Sequence, residues 1–78
     1  MLEIGQFLVI DNKDYLIASK TIYEDKIYLY LVNNNDIMFC YVDNDEVVEL
    51  DNIDEFYDVI DLLSKEAIKY LNENKKGN

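Results

Sequence analysis

Residues 27–42 read IYLYLVNNNDIMFCYV: two six-residue apolar runs, Ile27 to Val32 and Ile37 to Val42, around Asn33-Asn34-Asn35-Asp36. Both runs are too short for helices and rich in β-branched and aromatic residues, which suit a pleated strand. Asn and Asp tolerate the positive φ that tight hairpins require, so the stretch predicts an antiparallel hairpin. With Asn34-Asn35 as a two-residue turn, Val32 faces Ile37, Tyr30 faces Phe39 and Tyr28 faces Tyr41. Side chains alternate along a strand, so these six share one face. Ile27, Leu29, Leu31, Met38, Cys40 and Val42 take the other. The aliphatic set is the expected partner of a helix, which would leave Tyr28, Tyr30, Phe39 and Tyr41 on an uncovered second face.

Outward from the hairpin, the same grammar repeats. Gly5 to Ile10 reads as a strand closed by Asp11-Asn12-Lys13-Asp14. Tyr15 to Ile22 is the next, followed by the turn Glu24-Asp25-Lys26. Beyond the hairpin, Asp43-Asn44-Asp45 turns the chain into a short strand, Glu46 to Leu50. Connections this short favour an antiparallel meander, because parallel crossovers need many more residues. From Ile53 the period changes: Ile53, Phe56, Ile60, Leu63, Ala67, Tyr70 and Leu71 recur at spacings of three and four, one face of a helix. Asn52 is the expected N-cap, with Glu55 completing a capping box. Lys75, Lys76 and Gly77 mark a frayed end. The predicted fold is α+β: a five-stranded antiparallel meander, twisted or a small barrel, with one C-terminal helix packed on one face. It is expected to form a single domain over 1–78, with strands across about 4–50, the helix across about 53–72 and a tail from 73.

Charge is sharply partitioned along this domain. The 78 residues carry a net charge of −10, and residues 36–61 hold ten carboxylates with no cation. The remaining residues balance seven acids with seven lysines. Such a segment repels nucleic acid and anionic membrane and attracts a basic protein. Crowded like charges on a small core imply modest stability, for which dimerisation is a natural remedy. A single cysteine, Cys40, excludes an intrachain disulfide and a cysteine-based zinc site. The start Met1-Leu2-Glu3-Ile4 lacks the basic and apolar regions of a secretory signal, and the apolar runs are far too short to span a membrane. A cytoplasmic location in a bacterial cell is the simplest expectation.

Asp54, Asp58 and Asp61 lie on one outward helical arc that Lys65 and Lys69 continue. Acids early and bases late complement the helix dipole, which accounts for that arc without a partner. It does not account for Asp43, Asp45, Glu46, Glu49 and Asp51 in the preceding turn and strand. Together with Glu55 these carboxylates are dense enough to imitate a row of phosphates, and solubility is the plainer alternative. Tyr28, Tyr30, Phe39 and Tyr41 would supply an adjoining apolar anchor or a two-fold dimer contact. The alternative is that the sheet curls and buries some of these rings. An RNA-stacking role is disfavoured because such platforms sit in basic grooves.

Metal and cofactor chemistry find little support. Asp43-x-Asp45 opens like a calcium loop, but Val48 stands where the turn glycine belongs and no Glu closes the frame. With no His, the usual general base is missing. Cys40 falls on the expected core face, and Ser19, Thr21 and Ser64 have no activating partner. No metal, no cofactor and no enzymatic activity are expected.

The Tyr-rich strands, as in Asp14-Tyr15-Leu16-Ile17 and Lys26-Ile27-Tyr28-Leu29, followed by an acidic turn region, resemble small acidic proteins of low-GC bacteria with no assigned activity. Size, charge and the sheet-plus-helix layout also look like phage-encoded anti-CRISPR and other DNA-mimic inhibitors. That second resemblance implies stoichiometric inhibition of a basic nucleic-acid-binding effector, without carrying over any residue. The leading expectation is a non-enzymatic binding protein using Asp43, Asp45, Glu46, Glu49, Asp51, Asp54, Glu55, Asp58 and Asp61. The runner-up is a self-association or scaffold module built on the aromatic face.

Overall fold

Three of the turns carry positive φ at both central residues: Asp11 and Asn12 (51° and 65°), Glu24 and Asp25 (49° and 66°), Asn44 and Asp45 (49° and 68°). This is the type I′ geometry, whose twist matches that of antiparallel strands. The computed structural model describes residues 2–34 and 36–76, with side chains described to residue 73. The turns join β1 (Phe7–Ile10), β2 (Lys13–Tyr23), β3 (Lys26–Val32), β4 (Ile37–Asp43) and β5 (Glu46–Glu49). All pair antiparallel in chain order, forming a five-stranded meander. The β3–β4 register is the expected one, with Tyr28 opposite Tyr41, Tyr30 opposite Phe39 and Val32 opposite Ile37. Asn33 N–H donates to the Asp36 carbonyl at 3.0 Å and closes this hairpin. The predicted Asn34-Asn35 turn includes Asn35, which lies outside the described residues.

β1 begins at Phe7, later than expected, because Gly5 turns the chain with φ +95°. Its N–H still reaches the Ile17 carbonyl at 2.9 Å. Lys20 fixes the segment before it, donating to the Leu2 carbonyl at 2.9 Å and lying 3.5 Å from Glu3.

The helical segment opens as a 3₁₀ turn, Ile53–Phe56, and continues as α1, Tyr57–Lys76. Asn52 stands at the N-cap with no capping bond from its side chain, which instead donates to Glu55 Oε1 at 3.0 Å. The capping box is therefore not formed, because a tighter 3₁₀ turn replaces the α turn that it needs. Ile53 is exposed, and Val59, one turn before Leu63 and two before Ala67, is buried with them. α1 stays helical past the expected start of fraying, and Gly77 and Asn78 lie outside the described residues.

The core has two clusters, one on each face of the sheet, and the helix takes the face opposite to the expected one. Ala18, Tyr28, Tyr30 and Leu50 pack with Val59, Leu63 and Ala67 of α1, flanked by Val32, Phe39 and Tyr41. Tyr15, Ile17, Leu29, Leu31 and Cys40 form the second cluster with Leu2, Leu8, Met38 and Val47, and with no residue of α1 among the described side chains. The sheet curls around this aliphatic set as a half-barrel. Compact side chains fill most of the inside of the curl, with Tyr15 as the one ring in its buried set, whereas the larger group of rings lies on the face that α1 covers. Small residues on the helix, Val59 and Ala67, complement large rings on the sheet. A bulge between Ile17 and Ser19 places small, fully buried Ala18 under α1.

Candidate partner-binding site

The acidic side chains come from four successive elements. Asp43 pairs with Glu46 across the β4–β5 hairpin, whose turn carries Asp45. Glu49 ends β5, Asp51 follows it, Asp54 and Glu55 lie in the 3₁₀ turn, and Asp58 and Asp61 lie on α1. Eight of these nine are exposed, and Asp61 is half-buried. Among the described residues only Asp61 has an ion-pair partner, Lys65 Nζ at 3.0 Å one helical turn on. The other eight have no ion-pair partner among the described residues, although Lys26 stands beside the cleft that Glu49, Asp51 and Glu55 rim. Asp36, the tenth acid of residues 36–61, sits at the opposite end of the sheet, 4.0 Å from Lys13.

Two further acids join the array. Ile27 lies opposite Val42, so the β2–β3 turn stands beside the β4–β5 turn. Glu24 and Asp25 therefore share a sheet end with Asp43, Asp45 and Glu46. A linear charge window misses them; the two hairpins sharing β3 hold the signal that places them. Glu24 also acts on the adjoining strand: burial of Tyr28, then the charge of Glu24, raises its phenol above the ordinary 10.0.

The aromatic residues are not the uncovered face expected from the sequence. Tyr28 and Tyr30 are only 4% and 7% exposed beneath α1, and Phe39 and Tyr41 are half-buried. Tyr30 and Phe39 pack edge-to-face with centroids 5.1 Å apart. Only the margin of this cluster reaches the acids. There Tyr28, Tyr41 and Phe56 line a cleft of about 260 Å³ rimmed by Glu49, Asp51 and Glu55. Tyr28 lies 6.1 Å from Tyr41 and 5.7 Å from Phe56, centroid to centroid. Lys26 Nζ stands 4.9 Å from the centre of the Tyr41 ring, within cation–π range. Phe56 and Lys26 carry no site signal in the sequence, since the helix is expected there on the other face.

Cys40 is fully buried, and burial, reinforced by Glu49 opposite it, pushes its thiol up to about 11. Ser19 is fully buried as well. Among the described residues no group of three His, Cys, Asp or Glu is placed to hold a metal ion, and no helix is long and apolar enough to cross a membrane. No protein-family model, curated protein or solved structure matches this chain.

Proposed function

We propose that this protein is a non-enzymatic binding module that occupies a basic surface on a nucleic-acid-handling protein, as DNA-mimic and anti-CRISPR inhibitors do. The observation that carries this reading is the near-absence of internal cations for the acidic array: of the nine carboxylates, Asp61 alone is paired among the described residues. Uncompensated charge concentrated at one sheet end and along the first half of a helix steers a basic partner into contact. A protein needing charge only for solubility gains as much from acids scattered over its surface. Self-association through the aromatic rings is disfavoured, since α1 already occupies that face.

The test is capture of partners from a nuclease-treated bacterial lysate, eluted along a salt gradient. A nucleic-acid-binding protein retained to high salt is the expected result. The variant Asp43→Asn/Asp45→Asn/Glu46→Gln should then associate at least tenfold more slowly with that partner. Unchanged association by this variant, or recovery of no basic protein, would overturn the reading.

A further inference from the structure

We infer that the cleft between Tyr41 and Phe56 is a receptor for a guanidinium, the side chain of an arginine presented by a basic protein. The inference rests on the proposed acidic-surface function for its partner class, and it assigns a specific contact within that surface.

The cleft combines the two features that recognise this group. Its floor is the buried ring of Tyr28, and its walls include the half-buried rings of Tyr41 and Phe56. Its rim carries Glu49, Asp51 and Glu55, none of which has an ion-pair partner among the described residues. A volume of about 260 Å³ is below that of drug-sized ligand sites and suits one long side chain. A guanidinium is planar: it stacks on an aromatic face while its edge donates paired hydrogen bonds to a carboxylate. Glu55 is held for that role, because Asn52 donates to its Oε1 at 3.0 Å. Tyr28 and Phe56, 5.7 Å apart, are too close to sandwich a third plane. Stacking therefore falls to the rings of Tyr41 and Phe56.

The chain already places a cation at this cleft. Lys26 Nζ lies 4.9 Å from the Tyr41 centroid, so the ring face competes for positive charge within the molecule. An ammonium is a point charge that cannot stack and chelate together, whereas a guanidinium can. Lys26 thus acts as a weak internal occupant that an arginine displaces.

The test is NMR titration of the intact protein with N-acetyl-arginine methylamide and its lysine counterpart at 0.15 M salt, following the aromatic resonances. The arginine probe should shift Tyr41 and Phe56 saturably and bind at least fivefold more tightly than the lysine probe. Lys26→Ala should tighten arginine binding about threefold or more, and Glu55→Gln should weaken it at least fivefold. Both substitutions are at exposed positions. Equal affinity for the two probes, or Tyr41 and Phe56 resonances that do not move, would overturn the inference. Oligolysine and oligoarginine of ten residues separate this from failure of the broader reading. Both binding equally with the cleft silent sinks the cleft alone; neither binding sinks the acidic-surface reading as well.

Discussion

Two residues show how the local environment sets chemistry in this chain. Cys40 is sealed between β3, β5 and the aliphatic cluster, and its thiol is pushed from 9.0 to about 11. Between those two values the unfolded chain has released a proton that the native chain keeps. Stability is therefore fully present below about pH 9, falls as pH rises, and levels off above about 11. A rise of that size is worth about 2–3 kcal/mol. Urea unfolding at pH 8 and pH 11 should show wild type losing about that much more stability than Cys40→Ala, with Tyr28 contributing equally to both. Parallel pH profiles would refute it. Gly5 is constrained by backbone and by space: its φ is +95°, and a Cβ there would stand 3.1 Å from the Tyr70 hydroxyl. Gly5→Ala should cost about 1–2 kcal/mol in the same assay, and a neutral result would mean that the turn relaxes freely.

At the scale of elements, the helix and the face it covers decide what the rest of the surface can do. Leu63 is fully buried at the centre of the contact with the aromatic cluster. Leu63→Ala should destabilise by about 2–5 kcal/mol and shift the ring resonances of Tyr28 and Tyr30. Resonances of Leu29 and Leu31, in the other cluster, should move far less. The reverse pattern would place the helix on the aliphatic face. The strands were legible in the sequence because Asp, Asn and Glu punctuate them at regular intervals, and the β3–β4 register followed from reading Asn34-Asn35 as a two-residue turn. The covered face was not legible. Both faces of the hairpin are apolar, and polarity alone does not tell an aliphatic set that a sheet can curl around from an aromatic set that needs a helix. The 3₁₀ turn was equally hidden, since Asn52 and Glu55 have the spacing of a capping box and bond to each other instead. The acidic positions of the candidate site could be read directly, but the cleft could not, because it exists only where Phe56 meets Tyr28 and Tyr41.

For the molecule as a whole, the question is why a small fold tolerates so much unpaired charge. Its long axis is 36 Å, about one turn of duplex DNA. One strand presents a phosphate about every 3.4 Å, or roughly ten per turn, and a duplex about twice that. The nine proposed carboxylates with Glu24 and Asp25 make eleven within at most that length. That count is close to one strand's and well short of a duplex's. Maintaining this density works against the fold. Asp43, Asp45 and Glu46 share one sheet end with Glu24 and Asp25, where among the described residues no ion pair relieves them. Salt screens such repulsion over about 10 Å at 0.1 M and 3 Å at 1 M. The melting temperature of wild type should therefore rise between about 0.02 and 0.5 M sodium chloride. Asp43→Asn/Asp45→Asn/Glu46→Gln should melt about 2–5 °C higher at low salt and respond less to added salt. Asn and Asp both tolerate the positive φ at position 45, so this variant changes charge without straining the turn. A variant that is both more stable and slower to bind would mean that the array is kept for recognition at the expense of stability. A wild-type melting temperature indifferent to salt would show that the acids do not strain the fold, and would return them to the role of solubilising charge.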